Sequence, residues 1–378
     1  MTHVTRGDLQ LSAKRAGKVA TAGRSGTIPA VLKRALSHPT PAVSVIIPCR
    51  EERDHIGPCL DSILANDFPK DRLEILVVDG MSKDGTREIV QDYARRQATI
   101  QMLDNPRQTV PAALNLGIAR ASGSVILRMD AHVACAPDYI SSLVNWLQET
   151  GADNVGSACV TVPANRSAIA RAIAAALAHP FGVGDARFRL GTSKPRWVDT
   201  VPFGCFRREI FERVGRFDEE LVRNQDDEFN LRLIRAGGRV LLVPGVRSHY
   251  SARGSLGQLA QMYYQYGYFK PLVARKVGGV MTARQLVPPI FVSTLILTAA
   301  VAPWLPGAGL ACICTAGAYT AANIAASTVV GLRQGVRVGL ALPAVFATLH
   351  LAYGAGFLAG CVDFLLLRKR GRAVSLSR

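Results

Sequence analysis

VSVIIPCREE (residues 43–52), EILVVDG (74–80) and SVILRMDAH (124–132) are three apolar runs that each end in charge. Each reads as a buried strand whose last residues carry Glu51 and Glu52, Asp79, or Asp130. Taking a lone carboxylate out of water is costly, so acids gathered at strand ends need a strong reason to be there. In an open α/β sheet, ligands sit in the crevice outside the carboxyl ends of the strands. Acids converging there suit a divalent cation, or the hydroxyls and ring edges of a nucleotide. The chain therefore reads as an enzyme that handles a charged small molecule.

Between and beyond these strands the pattern changes to helical spacing. A helix is expected near 55–66, with Ile56, Leu60, Ile63 and Leu64 on one face, and others near 87–97 and 111–121. The turn GMSKDGT (80–86) supplies Gly80 and Gly85 for backbone freedom and Thr86 as a helix start. With a short strand near 99–103, this β-α-β-α-β-α-β alternation predicts a mostly parallel sheet. Further on, helices are expected at 138–149, 166–178 and 226–236, and strands at 154–162 and 239–243. HPFGVGDARFR (179–189) reads as a mobile loop.

The carboxyl-terminal third is different. From Leu286 to Leu332, 47 residues pass without an acidic, basic or histidine side chain, and between Arg337 and Asp363 another 25 carry only His350. A bilayer span needs about 20 apolar residues, so there is room for two spans and then a third. Ahead of them, residues 256–276 have the spacing of an amphipathic helix (Leu256, Leu259, Met262, Tyr263, Tyr266), with Lys270, Arg275 and Lys276 as an interfacial collar. The expected organisation is a basic, disordered extension at 1–40, a catalytic domain at 41–255, an interfacial helix region at 256–285, a transmembrane region at 286–367 and a basic tail at 368–378.

The net charge of +17 belongs largely to the two ends, which suits anionic lipid head groups. Basic patches interleaved with aromatics are missing, so nucleic acid is not expected as a partner. The 8 cysteines show no metal-type pairing and read as buried thiols of a reducing compartment. The first residues lack the continuous apolar core of a signal peptide.

Three clusters carry the candidate chemistry. Asp130 and His132 stand two apart after a buried strand, hence on one side of the backbone, where they could hold a divalent ion against a pyrophosphate. The bland alternative is an Asp capping the next turn and a surface His. Asp79 ends an all-apolar strand and can accept from a base edge, whereas Asp84 reads as a turn residue. In NQDDEFNLRL (224–233), Asp226 shares the inward face with Phe229 and Leu233, which makes it either a helix cap or a general base. Asp227 is partly inward too, and Glu228 is expected to form a solvated pair with Arg232. His249 reads as a structural residue or as a group near the metal or diphosphate.

Taken together and in this order, VSVIIPCREE, EILVVDGMSKDGT, MDAH and QDDEFNLRL resemble the motifs of the family 2 glycosyltransferases over roughly residues 43–250. Within that family the chain is most similar to membrane-anchored glucosyltransferases of succinoglycan-type exopolysaccharide assembly. The resemblance implies a GT-A, Rossmann-like fold, and an inverting, metal-dependent transfer of one sugar from a nucleotide sugar, UDP-glucose by that likeness. The acceptor would be a polyprenyl-diphosphate-linked saccharide, reached from the cytoplasmic face of the inner membrane. It further implies that Arg50, Glu52, Asp79 and Arg107 hold the nucleotide and that Asp130 faces ribose and metal. His132, with His249 nearby, would complete the Mn²⁺ or Mg²⁺ site, and Asp226 is the base.

Gln225 stands where the family often has Glu, which keeps Asp227 open as the base. A processive synthase is disfavoured, because QYGYF (265–269) lacks the Arg-Trp pair of the Gln-x-x-Arg-Trp motif. A polyprenyl-phosphate sugar synthase and a non-catalytic nucleotide-binding scaffold remain the other readings.

Overall fold

The computed structural model describes residues 42–279 and 282–371. The basic extension expected at 1–40 and the last part of the basic tail lie outside the described residues. Among the described residues, nine strands form one sheet: β1 (Val43–Cys49), β2 (Leu73–Asp79), β3 (Ile100–Asp104), β4 (Val125–Arg128), β5 (Val133–Cys135), β6 (Asn154–Val162), β7 (Arg196–Trp197), β8 (Cys205–Arg207) and β9 (Val240–Ser251). Their order is β3-β2-β1-β4-β8-β6-β9-β5, with β7 alongside β9.

The half built from β3, β2, β1 and β4 is parallel throughout. Beyond β4 the sheet becomes mixed: β8 runs antiparallel to both β4 and β6, β6 and β9 are parallel, and β5 and β7 are antiparallel to β9.

β1 is buried at every position because helices cover both faces of the sheet. Val45, Ile47 and Cys49 pack with residues of α1 (Arg53–Leu64), α2 (Thr86–Arg96) and, through the same cluster, Tyr139, Leu143 and Leu147. Ile46 joins the opposite cluster, with Ala113, Leu114 and Ile118 of α3 (Val110–Arg120). This alternation is the strand period of two. The helix α4 (Tyr139–Thr150) lies on the first face, and α5 (Ala168–Leu177) packs toward the apolar carboxyl-terminal helices. On the second face α6 (Gln225–Arg235) is held by a cluster of rings, with Phe217 and Phe229 stacked at 4.6 Å between centroids.

β9 is longer than the strand expected at 239–243. It continues to Ser251 because a bulge opposite Ser157/Ala158 absorbs extra residues and lets it reach β5. His249 therefore lies within a strand rather than after one.

The carboxyl-terminal part consists of α7 (Leu256–Val277), α8 (Val287–Val301), α9 (Pro306–Gln334) and α10 (Val336–Gly360). Ala283–Val301, Pro306–Gln334 and Val336–Leu366 are each long and apolar enough to cross a membrane. α7 and α10 pack backbone to backbone at Gly267, Gly356 and Gly360, where an added Cβ would collide with a carbonyl oxygen of the facing helix. Small residues at such positions let apolar helices approach closely.

α10 touches the α/β domain near both of its ends. Arg171 donates to the Gln334 carbonyl at 3.0 Å just before α10 begins, and Gly371, past its end, fits against the Glu220 carbonyl.

The interfacial collar expected on α7 is not free to meet lipid. Lys270 is buried and ion-paired with Asp227, and Arg275 donates to the Phe364 carbonyl at 2.5 Å. Lys276 pairs with Asp218 at 2.6 Å and Glu220 at 2.8 Å. The contact with α6 turns Lys270 inward, where it needs a carboxylate, while Arg275 and Lys276 stay at the surface but are held by partners of the protein itself.

Candidate active site

The site forms where β4 ends beside the start of α6. Arg128 is the last residue of β4, and its side chain is only 7% exposed. Its guanidinium bridges two acids: Nη2 donates to Asp130 Oδ1 at 2.7 Å, and Nη1 donates to Asp226 Oδ2. The three side chains line one cavity of about 600 Å³. Burial lifts the Asp226 pKa; Arg128 pulls it back, while Asp130 and Asp227 push it further, to about 6. Arg128 itself stays charged, since the two carboxylates outweigh the burial that opposes its charge. A carboxylate poised near neutrality, with Oδ2 fixed by a cation, leaves Oδ1 to take a proton.

α6 starts from Asn224, which adopts a left-handed φ of 59° and donates to the Tyr266 carbonyl at 2.8 Å. This ties the α6 amino terminus to α7. It also places Asp227 against Lys270, so the two adjacent acids have different cations. Glu228 is the third acid of that turn. It is buried, not solvated, bonding Arg232 at 2.7 and 2.8 Å, and Arg232 also reaches the Val214 and Arg216 carbonyls.

The acids expected to converge do so only in part. Asp79 is 0% exposed and does not line the cavity. Its Oδ1 accepts from the Ser82 hydroxyl at 2.5 Å, and Oδ2 accepts from the Ser82 amide at 3.0 Å and from Arg87 at 2.7 Å. Its carboxylate thus organises its own turn. Asp84 is a turn residue as expected, accepting from Thr86 and Arg53, and it opens α2 after Gly85 at φ 100°.

Arg50 lies against Gly80 and donates to the Gln108 carbonyl at 3.5 Å. Arg107 is exposed and pairs with Glu219, away from the cavity.

The expected metal residues are not all brought together. His132 Nδ1 lies 3.3 Å from Glu52 Oε1, and its ring meets Tyr250 edge-on at 5.8 Å. Burial opposes a charge on His132, but the bond to Glu52 and the field of Asp130 outweigh it, so its pKa rises. His249 is exposed, whereas its neighbour Tyr250, on the other side of β9, lines the cavity; strand alternation turns His249 away. Among the described residues, no group of three or more His, Cys, Asp or Glu side chains could hold a metal. Three carboxylates line the cavity: Asp226 and Asp227, paired with Arg128 and Lys270, and Asp130, whose Oδ1 is bonded to Arg128. A hard cation taking one carboxylate oxygen here would complete its shell with substrate phosphates and water, a common arrangement for Mg²⁺.

The Glycosyl transferase family 2 domain matches residues 44–215. The succinoglycan biosynthesis protein ExoA of Rhizobium meliloti is 30% identical over 326 residues, 85% of this chain and 95% of that protein. The chain belongs to glycosyl transferase family 2. This glycosyltransferase is also 28% identical over 243 residues to a dolichyl N-acetyl-alpha-D-glucosaminyl phosphate 3-beta-D-2,3-diacetamido-2,3-dideoxy-beta-D-glucuronosyltransferase of Methanococcus voltae, covering 62% of this chain and 74% of that protein. Among solved structures, the mannosyltransferase PcManGT from Pyrobaculum calidifontis, in complex with GDP-Man and Mn²⁺, aligns with a TM-score of 0.54 at 22% identity. The alignment spans 94% of this chain and 95% of that one. The shared fold is GT-A. The enzyme is thus related to exopolysaccharide and lipid-linked saccharide glycosyltransferases, with apolar helices suited to membrane anchoring.

Sequence reasoning did not single out Arg128, Arg189 or Arg223, all of which line the cavity. Arg128 had a legible signal. It is an arginine inside an apolar strand, two residues before Asp130 and hence on the same side. Arg189 sits in the short helix Arg187–Leu190 and Arg223 in the loop before α6, and only packing brings either to the cavity.

Proposed function

We propose that this glycosyltransferase moves a single sugar, with inversion, from a nucleotide sugar to a lipid-linked saccharide at the membrane, in exopolysaccharide assembly. UDP-glucose is the proposed donor. The observation that carries the reading is the single cavity in which Asp226, Asp130 and Arg128 share walls with α8 and α10. In the reaction, Asp226 Oδ1 takes the proton of the acceptor hydroxyl as its oxygen attacks the anomeric carbon from the face opposite the diphosphate. The bond from that carbon to the diphosphate oxygen breaks, and the nucleoside diphosphate leaves with the electron pair. Arg128 holds Asp226 and Asp130 at a fixed spacing, so the base meets its hydroxyl without reorganising. Asp130 would hold a divalent cation, Mn²⁺ or Mg²⁺, whose chemistry is to offset charge on the departing diphosphate.

The membrane arrangement follows from the same helices. With both ends of α10 against the catalytic domain, α8 and the first half of α9 enter the bilayer as a hairpin and return. α10 then lies along the domain with Val336, Leu340 and Leu351 facing lipid. The basic tail would then stay on the catalytic side, as the positive-inside tendency favours. Three full crossings would put it on the other side.

Membranes containing the enzyme, incubated with a panel of nucleotide sugars and lipid-linked acceptors under Mn²⁺ or Mg²⁺, test the reaction. The expected product carries one added sugar with inverted anomeric configuration, and long polymer or sugar on bare lipid phosphate would refute the reading. A carboxyl-terminal tag reachable only from the catalytic side is expected for the topology.

A further inference from the structure

Five cationic side chains line the cavity: Arg128, Arg189, Arg223, Lys270 and Arg284. Three have carboxylate partners. Arg128 pairs with Asp130 and Asp226, Lys270 with Asp227, and Arg284 with Asp185 at 2.9 Å and also with Asp199. Arg189 and Arg223 have none among the described residues. Arg223 Nε donates to Gln265 Oε1 at 3.1 Å, and Arg189 Nη1 makes only a long contact to Thr161 Oγ1 at 3.4 Å. The Arg189 guanidinium also stands 5.6 Å from the Tyr250 ring. Both arginines border one turn of α7, Tyr263–Tyr266: Arg223 through Gln265, and Arg189 through the fields of Tyr263 and Tyr266. Guanidinium groups held in a partly dry cavity without a counter-charge are set up for an anion, and their planar forks suit phosphate oxygens.

The opposite wall is apolar and comes from the membrane helices, including Val287, Pro288 and Phe291 of α8 and Leu349 of α10. Tyr353 of α10 also faces the cavity, with its hydroxyl buried and unbonded. A ligand that satisfies both walls is an amphiphile with an anionic head. About 600 Å³ is ample for a diphosphate with a sugar but not for a long lipid chain, which must leave along the helices.

We infer that Arg189 and Arg223 clamp the diphosphate joining the acceptor saccharide to its lipid, while the lipid chain runs out along α8 and α10. This deepens the transfer reaction proposed above and rests on it for the word acceptor. A nucleotide donor carries the same diphosphate chemistry, so the test must separate the two sources.

The test is calorimetric binding to the full chain in detergent, using farnesyl diphosphate, farnesol, uridine diphosphate and guanosine diphosphate as probes. The wild type is expected to bind farnesyl diphosphate at least about tenfold more tightly than farnesol, the scale of one charge-assisted hydrogen bond. Arg189→Gln and Arg223→Gln should each lose about that factor for farnesyl diphosphate, while affinity for the nucleotides and for farnesol is unchanged. Arg189→Lys and Arg223→Lys keep the charge, and should recover part of the loss in the event that a Gln variant folds poorly. If the Gln variants weaken nucleotide binding and spare farnesyl diphosphate, the pair serves the donor and the assignment is wrong. If all four variants bind every probe like the wild type, or if the wild type binds farnesol as tightly as the diphosphate, there is no such clamp. Absence of sugar transfer by the wild type would sink the proposed reaction and leave this binding result standing.

Discussion

The two halves of the sheet treat charge in opposite ways. In the parallel half, the acids at the β2 end and in the turn after it are satisfied by their own neighbourhood: Asp79 by Ser82 and Arg87, Asp84 by Thr86 and Arg53. Where β4 of the parallel half meets the mixed half, Arg128 stretches between Asp130 and the sequence-distant Asp226, and Arg189 and Arg223 nearby have no carboxylate partner among the described residues. A buried charge that the fold satisfies supports the fold. One left partly unsatisfied beside a cavity is available to a ligand. Substitutions around the β2 end should therefore act on stability, and those around the junction of β4 with the mixed strands on turnover.

The sharpest way to break that contrast is Asp226→Asn, which should lower kcat by about a thousandfold, the range of a lost general base, while leaving nucleotide affinity intact. Radiolabelled transfer together with nucleotide binding checks it, and appreciable residual turnover would return the role to Asp227. Arg128→Gln should cost about ten- to a hundredfold in kcat/KM, because the base and Asp130 lose their common tether.

The same variant sharpens the electrostatics. In the wild type, turnover should fall as pH drops through about 6, where Asp226 takes up a proton and can no longer accept one. Arg128 lowers that pKa, so removing its charge should move the acidic limb of the kcat profile to higher pH. A limb that stays in place would mean another group sets it.

On the other side of the comparison, Asp79→Asn should destabilise the catalytic domain by about 2 kcal/mol through the lost charge-assisted bond to Arg87. Denaturant midpoints would show it, with kcat changed far less than by Asp226→Asn. The smallest effect belongs to Arg107→Ala, an exposed ion pair with Glu219 away from the cavity. Donor KM and stability should both be unaltered, and a large rise in donor KM would restore Arg107 to the nucleotide site.

Much of this was open to reading in one dimension, for physical reasons that differ by element. β1 and β2 are legible because a strand buried on both faces must be a continuous apolar run. Asp226 is legible because three residues set it one helical turn from Phe229, whose ring must face the core. The apolar helices are legible from their lack of charge over 47 residues. His249 was misplaced because a bulge at 244–246 lengthened β9, and Pro244 and Gly245, with φ 82°, read in one dimension as the strand's end rather than as a bulge within it. Lys270 looked like a lipid-facing cation because periodicity cannot say that a second helix, with Asp227 at its start, would close over it.

The sequence by itself determined the α/β alternation, the acids at Asp130 and Asp226 and the apolar carboxyl-terminal third, since strand and helix periods and the burial of apolar side chains are local properties. Which acid meets which cation was decided only by tertiary structure. Arg128 and Asp226 are 98 positions apart, and Lys270 reaches Asp227 across two helices. The strength of a charge pair depends on separation and burial in space, and neither is written in the spacing along the chain.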